Sequence, residues 1–105
     1  MRLSAERSDV VLGIDVGTQS AKCVVLDANG QVRGVGQQGY GLLNPRPQWI
    51  EQEPQAWWSA VVAAVREALR AANTMAGRVR GIGLTGQMHG AVILGADLAP
   101  LRPAI

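Results

Sequence analysis

Apolar positions along this chain fall into short runs of strand length and one long stripe with helical spacing. Val10 to Val16 reads as a buried strand and Ala21 to Asp27 as a second. Gly17 lies at the tip of the hairpin between them, where a missing Cβ lets a ligand approach the backbone. Asn29-Gly30 is a tight-turn signal leading into a third strand, Gln31 to Leu42, so three strands meander antiparallel. The prolines of the next segment, Asn44 to Glu53, exclude helix and interior strand; it reads as an ordered loop because Trp49 and Ile50 need cover. Pro54 suits a first helical position. Trp57, Trp58, Val61, Val62, Val65, Leu69 and Ala72 then recur on one helical face, opposite Arg66, Glu67 and Arg70. The helix is predicted to reach Met75, with Gly77 as its stop. Val79 to Thr85 is a further strand, followed by Gly86-Gln87-Met88-His89-Gly90 and the apolar run Ala91 to Leu94. A strand-helix-strand connection of this length returns parallel to a neighbouring strand. The prediction is an α/β fold with a mixed sheet in βββαβ order and a helix packed on it.

Composition narrows the class. With 105 residues, 48% of them hydrophobic, the chain can form one modest core and no more. Ten Lys and Arg against eight Asp and Glu are spread along the sequence, which argues against a nucleic-acid binder. The single cysteine, Cys23, sits in an apolar strand, so neither an intrachain disulfide nor a cysteine metal site can form, and a reducing cytoplasm fits best. Residues 1–9 are polar, lack the apolar core of a signal peptide and read as a short disordered lead; no stretch is long and apolar enough for a membrane span. Leu101 to Ile105 reads as a strand beginning, so the chain is expected to be the front of a longer polypeptide.

The candidate chemistry centres on Gly13 to Lys22, where a strand-end acid, Asp15, precedes a turn rich in hydroxyl and amide groups. Such a turn suits phosphoryl transfer, in which charge spreads over oxygens and the protein contributes positioning, a metal and N–H or cationic donors. Magnesium keeps several waters and touches one or two carboxylates, so Asp15 would meet it through water. The structural alternative is an aspartate capping the turn amides, with Thr18 and Ser20 as ordinary turn formers and Lys22 as a solvent-facing residue of an alternating strand. Trp57 and Trp58 read as core packing, Trp49 as a residue that borders a cleft, and Glu51 and Glu53 as acids favoured near a helix start.

Four segments together resemble one family: the loop Gly13 to Lys22, Trp49-Ile50-Glu51-Gln52-Glu53-Pro54 with Trp57-Trp58 behind it, Gly86 to Gly90, and Leu101-Arg102-Pro103-Ala104-Ile105. They are similar to the N-terminal portion of the bacterial xylulokinases, within the carbohydrate kinase family that includes glycerol kinase and gluconokinase. The resemblance implies a ribonuclease H-like, actin-like ATPase fold, residues 10–105 forming the start of the first of two domains. It implies ATP and Mg2+ as cofactors and ATP-dependent phosphorylation of D-xylulose to D-xylulose 5-phosphate by the full-length protein. By position it gives Asp15 the magnesium and phosphate role, Thr18, Gln19, Ser20 and Lys22 the ATP phosphates, and Met88 and His89 the sugar. Met88 would pack on the sugar carbon chain while His89, the only histidine, reads its hydroxyls. The family's catalytic base lies beyond Ile105, so this chain alone is expected to be inactive. Relatives more often carry a tighter hairpin at Leu94 to Pro100. The expected partner is a small sugar, without nucleic acid or membrane, and a homodimer is compatible. The competing readings are a sister kinase for another sugar or polyol and a non-catalytic actin-like nucleotide switch.

Overall fold

The computed structural model describes residues 8–88 and 90–105. Four strands form one sheet: β1 (Val10–Val16), β2 (Ser20–Leu26), β3 (Val32–Gly39) and β4 (Val79–Gly86), in the order β3-β2-β1-β4. β1 to β3 meander antiparallel, and β4 returns parallel to β1 after helix α1 (Pro54–Ala71), giving the anticipated βββαβ order. The alternation of β1 and β2 sorts their side chains. Leu12, Ile14, Ala21, Cys23 and Val25 are buried beneath α1, whereas Val11, Asp15 and Lys22 emerge on the open face. The turn at Asn29-Gly30 forms as its sequence indicates, with Gly30 at φ 77° and the Asp27 carboxylate accepting from the Asn29 and Gln31 amides at 2.8 and 3.0 Å.

The helix meets the sheet through its smallest residues. Ala60, Ala64 and Ala68 are buried along one line of α1, with Val61, Val65 and Leu69 packed beside them. Opposite lie Gly34 and Gly36 of β3: a Cβ on Gly36 would overlap the Ala64 carbonyl oxygen and stand 2.8 Å from the Ala68 nitrogen, and one on Gly34 would overlap the Ala68 carbonyl. The expectation that both helix tryptophans pack in the core therefore fails: Trp58 is 62% exposed, and Trp57, half-buried, stands outside the core cluster with its indole N–H on Gln52 at 3.0 Å. An interface this close has no room for an indole, and Trp58 falls to the flank.

Two boundaries also differ. α1 ends at Ala71, not Met75, because Asn73 takes the left-handed conformation (φ 51°) and Thr74 N–H closes onto the Leu69 carbonyl at 3.0 Å. Gly77 instead lies in a short 3-10 turn, Ala76–Arg78. β3 stops at Gly39, where Tyr40 turns back to hydrogen-bond Gln19, so it does not reach Leu42. Residues 91–95 and 99–105 face each other antiparallel, with paired bonds between Ala91 and Ile105 and a turn closed by Gly95 N–H to the Ala99 carbonyl at 2.9 Å. Of the predicted disordered lead, residues 1–7 lie outside the described residues; Asp9 pairs with Arg80 at 3.2 Å and Arg78 at 3.8 Å.

Candidate active site

The turn after β1 is closed by Gly17 N–H donating to the Ser20 carbonyl at 2.9 Å, so the hairpin tip is Thr18-Gln19 and Gly17, expected at the tip, instead flanks it as the last residue before the turn. On the open face of the sheet, antiparallel register sets Asp15 opposite Lys22, and parallel register sets Asp15 beside Thr85 of β4. With Gly13 and Gly83 beneath them, these three side chains border a depression of about 410 Å3. Glycines at both central positions keep the floor low, so an anionic ligand could come close to the sheet between a carboxylate and an ammonium. Among the described residues no cluster of three or more His, Cys, Asp or Glu exists. A single carboxylate here suits a cation that retains most of its water and binds mainly through a ligand's phosphates.

The remaining predicted residues have separate surroundings. Thr18 is exposed and borders a neighbouring cavity of about 170 Å3, shared with Gln52, Trp57, Gln87 and Gly90. Gln19 accepts from Tyr40 N–H through its backbone carbonyl at 3.0 Å, and the Ser20 hydroxyl accepts from Gln37 Nε2 at 3.0 Å. The structure thus brings Asp15 and Lys22 together, puts Thr18 next to the loop after β4, and gives the Ser20 hydroxyl a bond within the sheet. Met88 is 81% exposed, and His89 lies outside the described residues. Trp49, under the Arg46 guanidinium at 4.9 Å from its ring centroid, lines a third cavity of about 460 Å3 with Glu51 and Arg102. Glu51 is buried and ion-paired to Arg102, a long-range role that a reading of it as a helix-start acid does not anticipate. Glu53 does occupy the N-cap position of α1, without a capping side-chain bond.

Three residues that brace this region, Tyr40, Gln52 and Gln87, carry no signal of that role in the sequence. Gln52 was visible only as part of a loop motif, and nothing in its spacing shows what its amide reaches. Tyr40 stands one residue beyond β3, with its hydroxyl on the carbonyls of Gly17 and Ser20, the latter at 3.0 Å. Burial, and secondarily the negative charge of Asp15, raise the Tyr40 pKa above its ordinary 10.0. A phenol whose folded pKa exceeds its unfolded value stabilises the fold fully below the unfolded pKa, and that contribution is lost as pH rises through the folded value. Tyr40→Phe is therefore expected to cost about 1 kcal/mol near neutral pH and to remove the tyrosine's part of the stability lost above pH 10.0. Paired thermal melts of the two chains at neutral and alkaline pH check both; identical melting curves would remove Tyr40 as a brace. Cys23, whose thiol pKa is likewise raised by burial, contributes alkaline loss in both chains.

A mixed sheet of three antiparallel strands and one parallel return, with a glycine-flanked turn and a strand-end aspartate, is the ribonuclease H-like architecture of the actin-like ATPases. Within that class the chain belongs to the FGGY family of carbohydrate kinases: residues 10–105 match the family's N-terminal domain. The xylulose kinase of Klebsiella pneumoniae is 40% identical over 94 residues, which are 90% of this chain and 19% of that protein. The glycerol kinase of Thermococcus kodakarensis is 33% identical over 95 residues, again 90% of this chain and 19% of the relative. The crystal structure of xylulose kinase from Rhodospirillum rubrum superposes with a TM-score of 0.80 at 30% identity, covering 90% of this chain and 20% of that one. The chain thus spans about a fifth of the length of the relatives it matches. Among the described residues no helix is long and apolar enough to cross a membrane.

Proposed function

We propose that this chain supplies the phosphate-holding part of an ATP-dependent kinase that converts D-xylulose to D-xylulose 5-phosphate. The observation that carries the reading is the pairing of Asp15 with Lys22 beside the Gly17 turn, over a floor of glycines. Asp15 would hold Mg2+ through water, and the cation, when bound, would offset charge on the ATP phosphates. Lys22 adds a cationic donor on the same face, and Thr18 stands at the neighbouring edge. In the reaction the terminal hydroxyl oxygen of the sugar bonds to the γ-phosphorus, the bond to ADP breaks, and the hydroxyl proton goes to a base in the remainder of the kinase. The chain alone would therefore not turn over.

Xylulose is preferred over other polyols for a residue-level reason. Met88 and His89 lie between Gly86 and Gly90 in the sequence, and a thioether beside an imidazole suits a short sugar with apolar carbon faces and several hydroxyls. Relatives named as xylulose kinases share about two-fifths of the residues, which supports the same choice. The test is ADP release by the complete kinase polypeptide with ATP and Mg2+ across D-xylulose, D-ribulose, L-ribulose, gluconate and glycerol. The expected result is a kcat/KM for D-xylulose at least about tenfold above the others, and loss of that preference in His89→Ala. Preference for another sugar would reassign the substrate, and no sugar-stimulated release would leave a nucleotide switch as the better account.

A further inference from the structure

We propose that Gln52 is a positioning residue that ties the phosphate turn after β1 to the sugar loop after β4, fixing their spacing; this rests on the kinase reading above. Gln52 is only 5% exposed, and both polar atoms of its side chain are engaged. Nε2 donates to the Thr18 carbonyl at 2.7 Å. Oε1 accepts from Trp57 Nε1 at 3.0 Å and from Gln87 Nε2 at 2.8 Å. The orientation of the amide follows from chemistry, since a carbonyl can only accept and an indole N–H can only donate. The backbone of Gln52 is pinned as well, exchanging hydrogen bonds with Ala104 at 2.9 and 2.6 Å. Gln87 is held by its own N–H on the Val16 carbonyl at 2.9 Å, so the amide pair joins two segments that are each anchored to the end of β1.

A glutamine retained only to fill space would need partners within one element. The partners here come from the turn assigned to phosphate, from the loop assigned to sugar and from the first turn of α1. A shift of either loop by an ångström would break a bond at a buried amide, where an unsatisfied group costs most. The two loops are thereby held to one arrangement.

The two ends of the amide can be cut separately. Gln52→Glu keeps an oxygen toward Trp57 and Gln87 but replaces the donor to Thr18 with a second oxygen, so it loosens the phosphate turn. Gln87→Leu removes the donor on the sugar side and leaves the Thr18 bond. Gln52→Met, of similar shape, cuts both. In the complete kinase polypeptide, Gln52→Glu is expected to raise KM for ATP about tenfold with the sugar KM little changed, Gln87→Leu to do the reverse, and Gln52→Met to raise both. A lowered kcat with both KM values unchanged, or no change in any constant, would overturn the proposal and leave Gln52 a packing residue. Backbone amide shifts in the nitrogen-15-labelled 105-residue chain give a readout independent of activity. Gln52→Met should move residues 17–20 and 87–88 together, and movement confined to one segment would also overturn the coupling. If the wild-type kinase acts on no sugar, the functional reading falls while the shifts still decide the coupling. If Gln52→Glu fails to fold, Gln52→Met and Gln87→Leu carry the same comparison.

Discussion

Gly36→Ala is expected to destabilise the fold by about 3 kcal/mol, near the upper end for adding one methyl group to a packed site. The backbone of Gly36 is not in the left-handed region, so an alanine there is unstrained by itself. The cost comes from the neighbour: the added carbon would overlap the Ala64 carbonyl, a backbone atom inside α1 that cannot swing aside as a side chain can. Relief requires the helix to lift from β3, opening gaps along Ala60, Ala64 and Ala68, which are 3%, 0% and 0% exposed. For a domain of this size the change corresponds to a fall in Tm of about 15 °C. Gly77→Ala is the control. No atom lies within 4 Å of its added Cβ, and its backbone conformation is ordinary, so its Tm should stay close to that of the parent. Equal melting temperatures for the two variants would mean that helix and sheet are not in close backbone contact at β3.

That contact shows where the sequence was legible and where it was not. Strands β1, β2 and β4 are marked by apolar runs of the right length and lie within a residue of their expected bounds, because burial on one face imposes a period of two on the chain. α1 was visible from its spacing, yet its inner stripe was not. Large apolar residues dominate a periodicity reading, and the residues nearest the sheet are alanines whose partners are glycines on a strand distant in sequence. The helix end is not legible because Gly77 is the stronger stop signal in the sequence, whereas Asn73 adopts the left-handed conformation at a modest cost. The site divides in the same way. Asp15, Thr18 and Lys22 could be singled out because they cluster in sequence around one turn. Gln52 reaches that turn across 34 residues of chain, and Gln87 reaches Gln52 across a further 35, through hydrogen bonds that no spacing rule encodes. Glu51 and Arg102, separated by 51 residues, pair for equally non-local reasons.

Asp15→Asn is expected to lower kcat of the complete kinase by 10²- to 10³-fold, the order seen when one charge-stabilising group is removed from a transition state. The substitution keeps size and shape and removes only charge. Asp15 is exposed at the end of β1, so melting temperature should barely move and a loss of activity would not reflect unfolding. The chain itself offers a second reading of the same charge. Tyr40 is its only tyrosine, and the Asp15 carboxylate is one cause of its raised pKa, the smaller one beside burial. In Asp15→Asn the phenol should titrate at lower pH than in the parent while staying above 10.0, because the burial contribution persists. Tyrosinate absorbance followed through alkaline pH measures this without any substrate. A phenol titration that moves as stated, together with a fall in kcat, places the Asp15 charge beside the Gly17 turn and makes it matter to phosphoryl transfer. A titration that moves while kcat stays within about threefold would keep the geometry and remove Asp15 from the chemistry, since a group stabilising developing charge contributes far more than that.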